Sequence, residues 1–132
     1  MSRITRLWTA AALAIASACL APAALAAAKV TKVTVAAGKP SEFAFQLSKK
    51  SVPLGTVKFT VTNKGTISHT FKVCSSSKGG KANACAGKVT KLLAPKRSAT
   101  LTIVFKKKGT YEYLCTVPGH AAAGMKGDLK VT

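Results

Sequence analysis

Apolar and polar residues alternate with a period of two in short runs separated by turn residues, and this pattern restricts the chain more than any other feature. In an extended strand successive side chains point to opposite faces. A run such as Val57-Lys58-Phe59-Thr60-Val61-Thr62 therefore buries one face and wets the other. Turn residues bound that run at Pro53-Leu54-Gly55 and Asn63-Lys64-Gly65. The same period recurs where Val33 and Val35 alternate with Lys32 and Thr34, and where Phe43, Phe45 and Leu47 alternate with Ala44 and Gln46. Leu101, Ile103 and Phe105 alternate with Thr100 and Thr102, and Lys106 to Gly109 then turns the chain into Tyr111-Glu112-Tyr113-Leu114-Cys115. Leu129 and Val131 against Asp128 and Lys130 end the series. Seven to eight short strands in about 100 residues predict an all-β Greek-key β-sandwich, with no helix of any length required. Residues 74–97 break the pattern: Ser75-Ser76-Ser77 and Gly79-Gly80 lead into a Lys- and Ala-containing stretch that reads as a long loop with at most one helical turn.

The first residues do not belong to that pattern. Arg3 and Arg6 precede an apolar run from Leu7 to Leu20, and Ala24-Leu25-Ala26 supplies small residues for cleavage. This is the form of a secretory signal peptide, placed at residues 1–26, with the folded domain over 27–132. A retained transmembrane anchor is the competing reading, and an Ala-rich stretch broken by Pro22 is short for it. Cys19 raises lipid anchoring as a further alternative, although Ala16-Ser17-Ala18 matches a lipoprotein signal poorly. The mature domain is expected to be exported, to the periplasm or the extracellular space.

The charge is extreme, with 21 Lys and Arg against 3 Asp and Glu. Removing residues 1–26 takes away Arg3 and Arg6 and leaves 19 basic and 3 acidic side chains, a net +16. Such a balance is the electrostatic footprint of phosphate binding. Here, however, the lysines fall mainly on the polar positions of strands in an exported domain, so they read as a solvated face. Nucleic acid is not an expected partner.

The chemistry lies in the last quarter. Cys115 is followed by four residues, then His120, four more, then Met125, and the only other histidine, His69, stands upstream at the start of another strand. Two imidazoles, one thiolate and a weak axial thioether form the ligand set of a blue-copper site. Pro118-Gly119 and Gly124 provide turns to aim His120 and Met125 back towards Cys115. Zinc also accepts Cys and His, but thioether is not among its usual ligands and no CxxC pair is present. A nucleophilic Cys115-His120 couple is a second alternative, without an Asn or Asp neighbour to orient the imidazole.

The segments Asn63-Lys64-Gly65-Thr66-Ile67-Ser68-His69-Thr70-Phe71, Leu93-Ala94-Pro95, Tyr111-Glu112-Tyr113-Leu114-Cys115 and the loop through His120 to Met125-Lys126-Gly127 together resemble the plastocyanin/azurin-like cupredoxins. The resemblance covers essentially the whole mature chain. It implies one type 1 copper ion bound by His69, Cys115 and His120, with Met125 as axial ligand. It implies too that the protein carries single electrons between redox partners and is not an enzyme. The four-and-four loop spacing is similar to the rusticyanin and auracyanin type. One departure concerns the position after the upstream histidine, where many members carry an Asn that fastens the two ligand loops. Here it is Thr70, whose N–H could still donate to the Cys115 sulfur.

Cys74 and Cys85 flank the Ser- and Gly-rich segment, and in an exported protein they are expected to form a disulfide. A second metal site at these two cysteines is the rival, with no His or carboxylate between them. Two other functions stay open at this point: carriage or sequestration of copper as cargo, and a basic module that binds anionic polymers. A monomer is expected, and the charge should steer it to the acidic surface of a redox protein and weakly to anionic membrane surfaces.

Overall fold

The computed structural model describes residues 28–75 and 85–132. The leader expected over residues 1–26, with Cys19, and residues 76–84 of the Ser- and Gly-rich segment lie outside the described residues.

Among the described residues nine strands form two facing sheets. One holds β2 (Phe45–Leu47), β1 (Thr31–Ala37), β4 (Gly55–Asn63) and β7 (Ser98–Phe105), in that order across the sheet. The other holds β3 (Ser51–Val52), β9 (Lys126–Val131), β8 (Gly109–Leu114), β5 (Lys72–Cys74) and β6 (Gly87–Val89). The expected all-β sandwich is the observed architecture. The strand count exceeds seven to eight because β3 and β6 are too short to show an alternation.

The period of two becomes a dry interior. On β4 the side chains of Val57, Phe59 and Val61 are fully buried while Lys58 and Thr60 face solvent. Each such burial stabilises the fold by roughly 1.5–3 kcal/mol. β4 lies parallel to β1 and antiparallel to β7, with Phe59 level with Val33 on one side and Leu101 on the other. From the opposite sheet, Tyr111, Tyr113, Leu129 and Val131 close over this row. Phe71 sits at the centre: its ring lies 5.1 Å from Phe45, 5.6 Å from Phe59 and 5.6 Å from Tyr113. Tyr111 keeps its hydroxyl at the rim, donating to the Lys107 carbonyl at 2.8 Å.

Two expectations need correction. Phe43 precedes β2 instead of extending it, and its ring meets His120 edge-on at 5.0 Å. The stretch after Cys85 is not a plain loop, because β6 pairs with β5 and Leu93 pairs with His69 in an isolated bridge. All three β6 residues are exposed, so the strand has no buried face to announce it in the sequence. Thr90 stitches the same stretch to Phe71, donating N–H to its carbonyl and accepting its N–H on the hydroxyl, both at 3.0 Å.

The Cys74–Cys85 disulfide is present, with the Cα atoms 5.5 Å apart. It forms a small buried cluster with Leu114 and Ala121, next to Cys115 in the chain. Cys115 is the free cysteine among the described residues. No described helix is long and apolar enough to cross a membrane.

Candidate metal centre

Cys115 stands one residue beyond β8, and its N–H donates to the Met125 carbonyl at 3.0 Å. This continues the β8–β9 ladder one step past the Leu114–Lys126 pair. The two ends of the loop are thereby joined by sheet pairing. Inside it, Met125 N–H donates to the His120 carbonyl at 3.0 Å and His120 N–H to the Val117 carbonyl at 3.1 Å. Gly119 and Gly124 turn the chain with φ of +83° and +106°, values that residues with a Cβ rarely adopt. The glycines and the closed base direct His120 and Met125 back to the cysteine.

His69 comes from the other side. It lies ahead of β5, not within it, and is held by paired backbone bonds with Leu93, N–H to carbonyl in both directions at 3.0 and 2.8 Å. Buried Asn63 secures the approach: its side-chain amide donates to the carbonyls of Ile67 at 2.7 Å and Leu93 at 2.8 Å, and its side-chain oxygen accepts from Gly65 N–H at 2.9 Å. No polar atom of that amide is wasted, which is what a buried Asn requires.

The donor atoms of His69, Cys115 and His120 all lie within 4.8 Å of one another, and all three residues are buried. The Nδ1 atoms of the two imidazoles are 3.2 Å apart, and Cys115 Sγ is 3.5 Å from His120 Nδ1. Met125 is fully buried and packs with Cys115 and Ala37 in one cluster. Thus all four residues singled out in the sequence converge on one end of the sandwich. Two imidazole nitrogens and a sulfur facing each other in a dry space present lone pairs to a common centre, an arrangement relieved only by a shared proton or a cation. Soft sulfur, imidazole and a nearby thioether fit one type 1 copper ion.

Thr70 supplies the fastening that Asn provides elsewhere in the resembling family. Its hydroxyl oxygen accepts Thr116 N–H at 2.8 Å and lies 2.8 Å from the Thr116 hydroxyl. Its backbone N–H points at Cys115 Sγ, 3.4 Å away. The strap that carries His69 is thus joined to the loop that carries Cys115.

Glu42 was not among the residues singled out from the sequence. Its carboxylate lies 2.8 Å from His69 Nε2 and accepts Thr66 N–H at 2.9 Å and the Thr66 hydroxyl at 2.8 Å. The Thr66 backbone N–H, with His69 and the Thr66 hydroxyl, holds the carboxyl well below its usual range, at about 2. A carboxylate only accepts, so the Glu42 contact places a proton on His69 Nε2 and leaves Nδ1 as the atom that faces the centre. Burial pushes the His120 imidazole below its ordinary value, the neighbouring His69 adds to this, and Glu42 opposes it. The one available clue to Glu42 was its rarity, as one of three acids in a strongly basic chain.

Comparison with known proteins follows the same line. The model of the copper-binding proteins of the plastocyanin/azurin family matches residues 30–132. Over 43 residues the chain is 49% identical to auracyanin-B of Chloroflexus aurantiacus, covering 33% of this chain and 18% of that protein. The chain therefore matches less than a fifth of that relative's length. Among solved structures, auracyanin B superposes with a TM-score of 0.62 at 27% identity, covering 77% of this chain and 88% of that one. Rusticyanin from Thiobacillus ferrooxidans gives a TM-score of 0.57 at 30% identity, with 79% and 78% covered.

Proposed function

Because the chain belongs to the plastocyanin/azurin family of copper-binding proteins, whose role is electron transfer, we propose that it is an exported carrier of single electrons. Copper would be held by His69, Cys115 and His120, with the Met125 thioether as a fourth donor. The observation that carries this reading is the convergence of the two Nδ1 atoms and Sγ within 4.8 Å in a buried pocket beside Met125. A bound copper ion supplies a one-electron couple.

The residues around it do the rest. Rigid attachment through the Leu93 bridge, Asn63 and the Thr70–Thr116 bond keeps the ligands from rearranging between oxidation states. Burial of Cys115 and Met125 excludes water from the sulfur atoms. His120 lies nearest the surface of the three donor residues, at 9% exposure, in a loop whose Pro118, Gly119, Ala122 and Ala123 are exposed. These small groups let a redox partner approach its edge closely, which makes His120 the route for the electron.

The partner class follows from charge. Lys39, Lys64 and Lys126 are exposed next to residues of the site end, on a domain with 19 basic and 3 acidic side chains after residue 26. A partner with an acidic docking surface is favoured by this field, and an anionic membrane surface would attract the monomer weakly. Nucleic acid and an enzymatic reaction are no part of the reading.

Copper(II) added to the mature protein should produce an intense thiolate charge-transfer colour that disappears on reduction and is absent from Cys115→Ser. A colourless adduct, or colour retained in Cys115→Ser, would refute the site.

A further inference from the structure

We infer that Glu42 is a positioning residue for the metal centre, fixing His69 in the Nε2–H form and biasing the site towards the more highly charged oxidation state of its copper. The inference rests on the copper reading for its second half; its first half concerns the protein without metal.

The geometry is specific. Glu42 lies 27 residues before His69 and reaches it from the turn ahead of β2, across the turn that follows β4. One carboxylate oxygen meets His69 Nε2 at 2.8 Å, and the other takes the N–H and hydroxyl of Thr66. Ile67 N–H adds a longer bond of 3.3 Å. Four donors therefore hold the carboxylate in place, and three of them belong to the segment that leads into His69.

The backbone makes room for this reach. A Cβ on Gly65 would collide with the Glu42 carboxylate and stand 3.0 Å from His69 Nε2. Gly38, ahead of Glu42, approaches the Gly65 backbone so closely that a Cβ there would lie 2.5 Å from its Cα. Two glycines thus bring the two turns into contact, and the carboxylate uses the space to touch His69.

The other two acids contrast with it. Glu112 and Asp128 are cross-strand neighbours on β8 and β9 and make no hydrogen bond to His69, Cys115 or His120. Glu42 is the acid spent on a ligand.

A hydrogen-bonded carboxylate makes an imidazole a stronger donor and fixes its orientation, and losing such a partner commonly lowers metal affinity 10- to 100-fold. The negative charge favours copper(II) over copper(I). Since the Glu42 side chain is 27% exposed, solvent weakens the effect and the lower end of that range applies.

The test compares Glu42→Gln with Glu112→Gln, which removes the same charge from an acid that makes no hydrogen bond to His69, Cys115 or His120. In the apoprotein, nitrogen-15 NMR of the imidazoles should find His69 as a single Nε2–H tautomer in the native chain and in Glu112→Gln, and as a mixture in Glu42→Gln. In the copper-loaded protein, Glu42→Gln should lose about tenfold in copper(II) affinity relative to copper(I), equivalent to a potential about 59 mV higher. Gly65→Ala, which expels the carboxylate without removing it, should shift both readouts the same way and serves if Glu42→Gln does not fold. Tautomer and potential unchanged in the folded variants, or shifted equally by Glu112→Gln, would overturn the inference. Failure of the native chain to bind copper would strike the functional reading while leaving the tautomer measurement to judge Glu42.

Discussion

Thr70→Val separates the mechanical role of Thr70 from its electronic one. Valine keeps the shape of threonine and leaves the backbone N–H aimed at Cys115 Sγ, so only the hydroxyl is lost. That hydroxyl accepts Thr116 N–H at 2.8 Å, lies 2.8 Å from the Thr116 hydroxyl, and stands 3.7 Å from the sulfur. A net hydrogen bond contributes about 0.5–1.5 kcal/mol, and an orphaned N–H costs more when water cannot reach it. Thr116 is half-buried, so water offsets part of the loss. Two bonds removed on this basis destabilise the apoprotein by about 1–2 kcal/mol, or roughly 5–10 °C in Tm for a domain of this size. The potential should hardly move, because the hydroxyl proton has a nearer and better acceptor in Thr116 than in the sulfur. Thermal unfolding of apoprotein, followed by near-ultraviolet circular dichroism, and voltammetry of the copper form measure the two effects independently. An unchanged Tm would refute the fastening role. A potential shifted beyond about 59 mV, a tenfold change in the redox equilibrium, would show that the hydroxyl donates to the sulfur after all.

Phe71→Ala should cost about 3–5 kcal/mol, since it empties the centre of the aromatic cluster; urea denaturation with a loss under 1 kcal/mol would mean that the neighbours collapse into the gap. Reducing Cys74–Cys85 frees its loop in the unfolded chain and should lower stability by about 3 kcal/mol, read as the difference between denaturation curves with and without reductant. Acid should destabilise the apoprotein in two stages. His120 is held below its ordinary 6.5, so its contribution is full above that pH and is lost as the pH falls past it. Glu42, held at about 2 against an ordinary 4.5, contributes above 4.5 and loses that contribution between 4.5 and about 2; a pH–stability profile of Glu42→Gln should be flatter in this window. Electron transfer to an anionic partner should slow as salt is added, and stopped-flow rates indifferent to ionic strength would remove the steering role of the lysines.

Much of this protein follows from local pattern. Alternation alone marks the inward residues of β1, β4, β7, β8 and β9, because a strand's faces repeat every two residues whatever surrounds it. His69, Cys115 and His120, with Met125 packed beside Cys115, are recognisable from their chemistry and from the spacing of Cys115, His120 and Met125. Short strands escape this logic: β3 and β6 exist because β9 and β5 offer free edges, a property of the assembled sheet. Phe43 keeps the period yet leaves the strand, since its ring is drawn to His120 rather than to the core.

Contacts between distant segments depend on the folded chain alone. Nothing near residue 42 in the sequence points to residue 69; only the approach of Gly38 to Gly65 places the Glu42 carboxylate on His69 Nε2 and so decides which imidazole nitrogen faces the centre. The same holds for Thr70, which stands where many members of the family carry Asn and whose hydroxyl meets Thr116 only in the folded chain. The candidate ligands are read from side-chain chemistry and spacing taken together, both of which the sequence carries. Ligand protonation, orientation and stiffness are set by partners 27 and 46 residues away, and such distances close only when the sandwich does.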